Sequence, residues 1–121
     1  MIKQIFSKQV GIKIPIRKKS GGFYVNMEEI TFITCDGYVI KIQLVNKEIY
    51  CLTSSLKWFE HDLKEYGFFR ANRNTLINTM YIVDFQLTHK ERSVNLNGIN
   101  VQISRNRVAQ LKKLLYGCNK I

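Results

Sequence analysis

A chain of 121 residues, 45% of them apolar and only one of them proline, suits one folded domain spanning 1–121 and excludes a disordered tail. Nineteen Lys and Arg against nine Asp and Glu leave a formal charge of +10, unevenly spread: residues 1–26 carry +6, residues 27–67 carry −3 and residues 68–121 carry +7. Such segregation is the footprint of a polyanion-binding face backed by an ordinary surface, although a generically basic soluble protein has the same sum.

In chain order the pattern is mostly period two. Ile12-Lys13-Ile14-Pro15-Ile16 alternates, and Pro15 within it predicts an edge strand. Arg17 to Gly22 reads as a basic turn into a strand at Phe23-Tyr24-Val25. Ile30 to Cys35 is β-branched and aromatic, Asp36-Gly37 signals a two-residue turn, and Tyr38 to Leu44 alternates again. Asn46-Lys47 then turns the chain into a strand from Glu48 to Leu52.

The period changes after Ser54, a suitable N-cap. Leu56, Phe59, Leu63 and Tyr66 recur at helical spacing, and Gly67 follows as the C′ residue. This helix, Trp58 included, reads as core scaffold, and Glu60, Asp62 and Glu65 turn it away from a polyanion. Phe68-Phe69-Arg70 is a short piece, and Ala71 to Asn78 reads as a loop ending in a helical turn. Tyr81 to Leu87 and Ser93 to Leu96 read as strands around a turn at His89-Lys90-Glu91. Asn97-Gly98 is a second hairpin signal, completed by Asn100 to Ile103. Ser104 caps a last helix whose inner face is Val108, Leu111 and Leu115. The expected fold is mainly β, with seven to nine short strands and two short-to-medium helices (α+β).

Few residues suggest catalysis. His61 and His89 stand alone, and no glycine-rich phosphate loop, nucleophile elbow or H-E-x-x-H occurs. Cys35, Cys51 and Cys118 are odd in number and too far apart for a local zinc site. They read as reduced thiols of a cytoplasmic protein, and no apolar run of about 18 residues points to a membrane. The expectation is a protein without enzyme activity, metal or cofactor.

Nucleic-acid chemistry has local support. Arg70-Ala71-Asn72-Arg73-Asn74 gathers the side chains that read base edges, Arg on guanine and Asn on adenine. Ser104-Arg105-Asn106-Arg107 repeats that chemistry at a helix start, where free N–H groups favour a phosphate. The alternative reading is that Asn72, Asn74 and Asn78 are turn and cap residues satisfying the backbone.

The stretch from Phe69 to Asn78 resembles the central motif of the LytTR DNA-binding domain. Gly98, Val101-Gln102-Ile103-Ser104-Arg105, Ile30 to Ile33, Asp36 to Val39 and Ser55-Leu56-Lys57 resemble further motifs of that family, in its order, over about residues 12–116. The resemblance implies an elongated antiparallel β fold that places loops, not a recognition helix, in successive major grooves of double-stranded DNA. It also implies a bacterial transcription regulator whose protomers bind paired repeats two at a time. Base contact falls on Tyr38, Arg73 and Arg105, and backbone contact on Lys18, Lys19, Arg70, Asn74, Ser104 and Arg107. Asn72 stands where the family usually has His, Asn74 where it has Ser and Thr75 where it has an aromatic, so the operator differs from the family's commonest. Many members carry an N-terminal receiver or membrane domain. The basic N-terminal segment here is too short for a receiver, which suggests a stand-alone regulator switched by its abundance or by a regulatory protein partner. Two rivals stay open. One is a β-barrel binder of RNA or single strands, a class that wants aromatics displayed on a sheet face, whereas most here alternate inward or sit on the helix, apart from Tyr24 and Tyr38. The other is an interaction module that heteropairs with a DNA-binding relative and antagonises it.

Overall fold

Period-two patterning gives β-structure through most of residues 13–117, the part that the computed structural model describes, apart from the Lys18 side chain. Strands β1 (Lys13–Lys18) and β2 (Gly21–Asn26) form an antiparallel hairpin that pairs Pro15 with Tyr24. Among the described residues this sheet has two strands, so Pro15 lies on an edge, where a missing N–H is tolerated. Strands β3 (Ile30–Asp36), β4 (Val39–Leu44), β5 (Ile49–Thr53), β6 (Phe68–Asn72) and β7 (Thr75–Asn78) build one antiparallel sheet in the order β5-β4-β3-β7-β6. Strands β8 (Ile82–Leu87), β9 (Arg92–Leu96) and β10 (Ile99–Gln102) form a third sheet in the order β10-β9-β8. Helix α1 (Leu56–Leu63) joins β5 to β6, and α2 (Val108–Tyr116) follows β10. This is the expected mainly antiparallel architecture with two short helices, and ten strands among the described residues slightly exceed the seven to nine expected.

The five-stranded sheet is the middle layer, because alternate residues of its strands enter different cores. Ile33, Leu76 and Phe68 join Ile14, Ile16, Ile40, Ile42, Leu56, Phe59 and Leu63 on the side of α1 and the β1–β2 hairpin. Phe69, Ala71 and Ile77, with Phe32 against them, join Val94, Leu96, Val101, Ile103 and Leu111 on the side of the third sheet and α2. Each of these side chains except that of Ala71 contributes roughly 1.5–3 kcal/mol by leaving water, so the sheet is clamped from both faces. The stretch Ala71–Asn78, expected as a loop, is therefore two strands joined by a tight turn at Arg73–Asn74.

Helix α1 is capped by Ser55, not Ser54: the Ser55 Oγ accepts the Trp58 N–H at 3.2 Å. Leu56, Phe59 and Leu63 are buried as expected, and Gly67 ends the segment at φ 93°. Trp58, expected in the core, is 49% exposed. It stands edge-on to Phe59 at the rim of a cleft of about 700 Å³ that Pro15 and Leu52 also line. The Asn97-Gly98 turn has φ of 53° and 102°, both positive as a type I′ hairpin requires. The β3–β4 hairpin turns one residue later than expected, at Gly37-Tyr38, with Asp36 paired to Val39. Only Gly37 of the two has a positive φ, 67°, the mark of a II′ turn. Asn78 is 1% exposed; its Nδ2 donates to the Ile30 carbonyl at 2.9 Å and its Oδ1 accepts the Met80 N–H.

Candidate nucleic-acid interface

Strand register brings three of the singled-out segments to one end of the middle sheet. β3 runs antiparallel to both β4 and β7, with Thr34 opposite Thr75, so the Gly37–Tyr38 and Arg73–Asn74 turns emerge together. The Cys35 N–H donates to the Asn74 carbonyl at 3.0 Å, carrying the pairing into the turn itself. The third segment, from Ser104 to Arg107, is joined to the second by two bonds. The Ser104 N–H donates to the Ala71 carbonyl at 2.9 Å, and Asn72 Nδ2 donates to the Gln102 carbonyl at 2.7 Å.

Asn72 also shapes its own turn, since its Oδ1 accepts the Asn74 N–H at 2.9 Å. One side chain thus closes the Arg73 turn and ties it to the approach to Arg105. The reading of Asn72 as a residue that satisfies backbone describes these bonds well, as it does those of Asn78.

Arg70 is spent inside the protein. Its Nε donates to the Asn72 carbonyl at 2.9 Å, Nη2 to the Arg73 carbonyl at 2.7 Å, and Nη1 to Glu60 Oε1 on α1 at 2.7 Å. The side chains of this ion pair are 17% and 33% exposed. A planar fork suits this task, because it holds two carbonyls of one turn while its far end is fixed by a carboxylate. Sequence reasoning missed Glu60 as an anchor; it lies ten residues before Arg70, across a helix end, where no local pattern signals a pair.

The remaining candidates differ from Arg70 in exposure. Tyr38 is 79% exposed, and Arg73 and Arg105 are exposed. Among the described residues no ion pair or side-chain hydrogen bond engages the side chains of these three. Asn74 is exposed at the turn tip, and Arg107 is half-buried. Ser104 occupies the N-cap position of a 3-10 turn, Arg105–Arg107, that precedes α2, but its side chain makes no capping bond. Lys19 is exposed on the β1–β2 turn, a hairpin packed on the α1 side. The Lys18 side chain and Cys118 lie outside the described residues, while Cys35 and Cys51 are free thiols. Among the described residues no His, Cys, Asp and Glu cluster could hold a metal ion, and no helix is long and apolar enough to cross a membrane.

The geometry agrees with known proteins. A solved LytTr DNA-binding domain from Bacillus cereus superposes with a TM-score of 0.73 at 20% identity, over 85% of this chain and 95% of that one. The heme-containing CO-sensing transcriptional regulator RcoM 2 of Paraburkholderia xenovorans (strain LB400) is 32% identical over 108 residues. That alignment takes in 85% of this chain but spans 39% of the relative's length. The model of the LytTr DNA-binding domain matches residues 20–116, and the chain belongs to that family.

Proposed function

We propose that this DNA-binding domain recognises duplex DNA sequence-specifically, in the service of transcription regulation, by presenting three turns to successive major grooves. In this reading Arg73 and Arg105 read bases, Tyr38 contacts a base from the first turn, and Asn74, Ser104, Arg107, Lys18 and Lys19 position the protein on phosphates. Arg70 shapes the Arg73 turn. One observation carries the reading: two exposed arginines, unpaired among the described residues, stand on turns that Asn72 and Ser104 bond together. A fixed spacing between two such side chains is what groove recognition by loops needs. Two protomers on paired repeats, and a regulatory protein partner, complete the proposal.

The test is selection of bound duplexes from a random pool, followed by the same selection with Arg73→Ala and Arg105→Ala. Each variant is expected to lose about 1–3 kcal/mol of affinity and to relax preference at one position of the repeat. Preference unchanged in both variants, or tighter retention of single-stranded RNA than of any duplex, overturns the reading.

A further inference from the structure

Next to Arg105 lies a cleft of about 440 Å³, opening between the β8–β9 turn and the start of α2. His89 and Arg92 line it from the turn side, and Arg105 and Lys112 line it from the helix side. Among the described residues no carboxylate lines it. Glu91 is the acidic neighbour in the same turn, and its Oε2 accepts the Ser93 hydroxyl at 3.4 Å. Three permanent cations thus share one concave surface, an arrangement whose mutual repulsion a bound anion relieves.

Arg92 is half-buried and held in place. Its Nη1 donates to the His89 carbonyl at 3.0 Å, so the guanidinium also closes the turn. Its Nε is shielded from solvent and has no acceptor among the described residues, a costly state for a charged donor. Nη1 gives only one of its two N–H groups to that carbonyl, so Nη1 and Nη2 keep N–H groups without an acceptor among the described residues.

We infer that this cleft is a phosphate-binding site, occupied by a phosphate of the DNA strand that flanks the groove entered by Arg105. The inference rests on the proposed DNA reading and adds Arg92, His89 and Lys112, none of which the sequence singled out for DNA contact. The same chemistry would accept a phosphate on a small molecule, so the experiment separates the two sources.

Lys112 is exposed on α2, and its loss leaves the core untouched. Lys113 is also exposed but does not line the cleft, which makes Lys113→Ala the control. Duplex affinity is measured over a salt series for wild type, Lys112→Ala, Lys112→Glu and Lys113→Ala. Lys112→Ala is expected to weaken all duplexes alike, to lower the log K against log salt slope by about 0.9 and to leave base preference intact. Lys113→Ala leaves the slope unchanged. In parallel, inorganic phosphate is titrated into DNA-free protein while the amide resonances of residues 89, 92 and 112 are followed. If the slope does not change in Lys112→Ala but phosphate saturates wild type and not the variant, a free phosphorylated molecule is the occupant and the DNA-strand assignment is overturned. If neither slope nor resonances respond, the cleft is no phosphate site. If wild type retains no duplex at low salt, the DNA reading itself has failed, and the titration alone decides the cleft.

Discussion

Replacing Arg70 by alanine separates a residue that shapes the protein from one that touches DNA. The substitution removes three charge-assisted bonds, two to the carbonyls of Asn72 and Arg73 and one to Glu60, at a side chain only 17% exposed. Bonds from a charged donor contribute about 1.5–3 kcal/mol each when isolated, but three on one side chain do not add, so about 2–4 kcal/mol is expected. For a domain of this size that lowers Tm by about 8–16 °C. Arg70→Lys recovers little of this, because an ammonium cannot reach both carbonyls and Glu60 as a fork does. Thermal unfolding followed by circular dichroism gives the stability, and binding isotherms over a salt series give the number of phosphates neutralised. DNA affinity falls because the Arg73 turn loses its shape, but the salt slope stays that of wild type. A slope lower by about 0.9 with Tm unchanged would refute this reasoning and return Arg70 to the phosphate contacts.

Three further outcomes are expected. Asn78→Ala leaves the Ile30 carbonyl without its donor and a void where a 1% exposed side chain stood, costing about 2–4 kcal/mol in urea unfolding. Lys47 holds φ at 76° in the β4–β5 turn, so Lys47→Gly relieves left-handed strain and raises the urea midpoint by the equivalent of about 0.5–1 kcal/mol. The Tyr81 hydroxyl, which donates to the Glu28 carbonyl, is raised above its ordinary 10.0 by burial and then by the charges of Glu28 and Glu29. Folding therefore favours its neutral form, and the stability this gives, complete below about pH 10, is lost as pH rises through the raised value. Tyr81→Phe is expected to be less stable at neutral pH yet to show a shallower alkaline decline; an unchanged decline would point to other groups.

Much of the fold was legible where local chemistry alone decides the backbone. Asn97-Gly98 reads as a turn because both residues tolerate positive φ, and Gly67 ends the α1 segment for the same reason. The β6–β7 pair was hidden because Leu76, Ile77 and Asn78 are buried consecutively. With both faces of that strand covered, the alternation that marks a half-exposed strand is missing, and the asparagines around it suggest a loop. Trp58 looked like core because it is large and apolar, yet it falls off the Leu56–Phe59–Leu63 stripe. The wealth of Arg and Asn in the two arginine segments is plain in the sequence, and their adjacency is not. It depends on Asn72 meeting Gln102, thirty residues away, and on Ser104 meeting Ala71. Whether an arginine serves a ligand or its own chain is likewise a tertiary fact, as the bond from Arg70 to Glu60 shows.

The side chains that hold the turns in shape are not the ones that stand exposed at their tips. Arg70 and Asn72 are bound to backbone carbonyls, whereas Tyr38, Arg73 and Arg105 extend from the same turns and support nothing beneath them. Exchanging one of these outward side chains is therefore expected to cost almost nothing in thermostability, typically within about 0.5 kcal/mol for an exposed position. On the proposed DNA reading, a new target sequence is open to this scaffold through one substitution at a tip, without a compensating change below it.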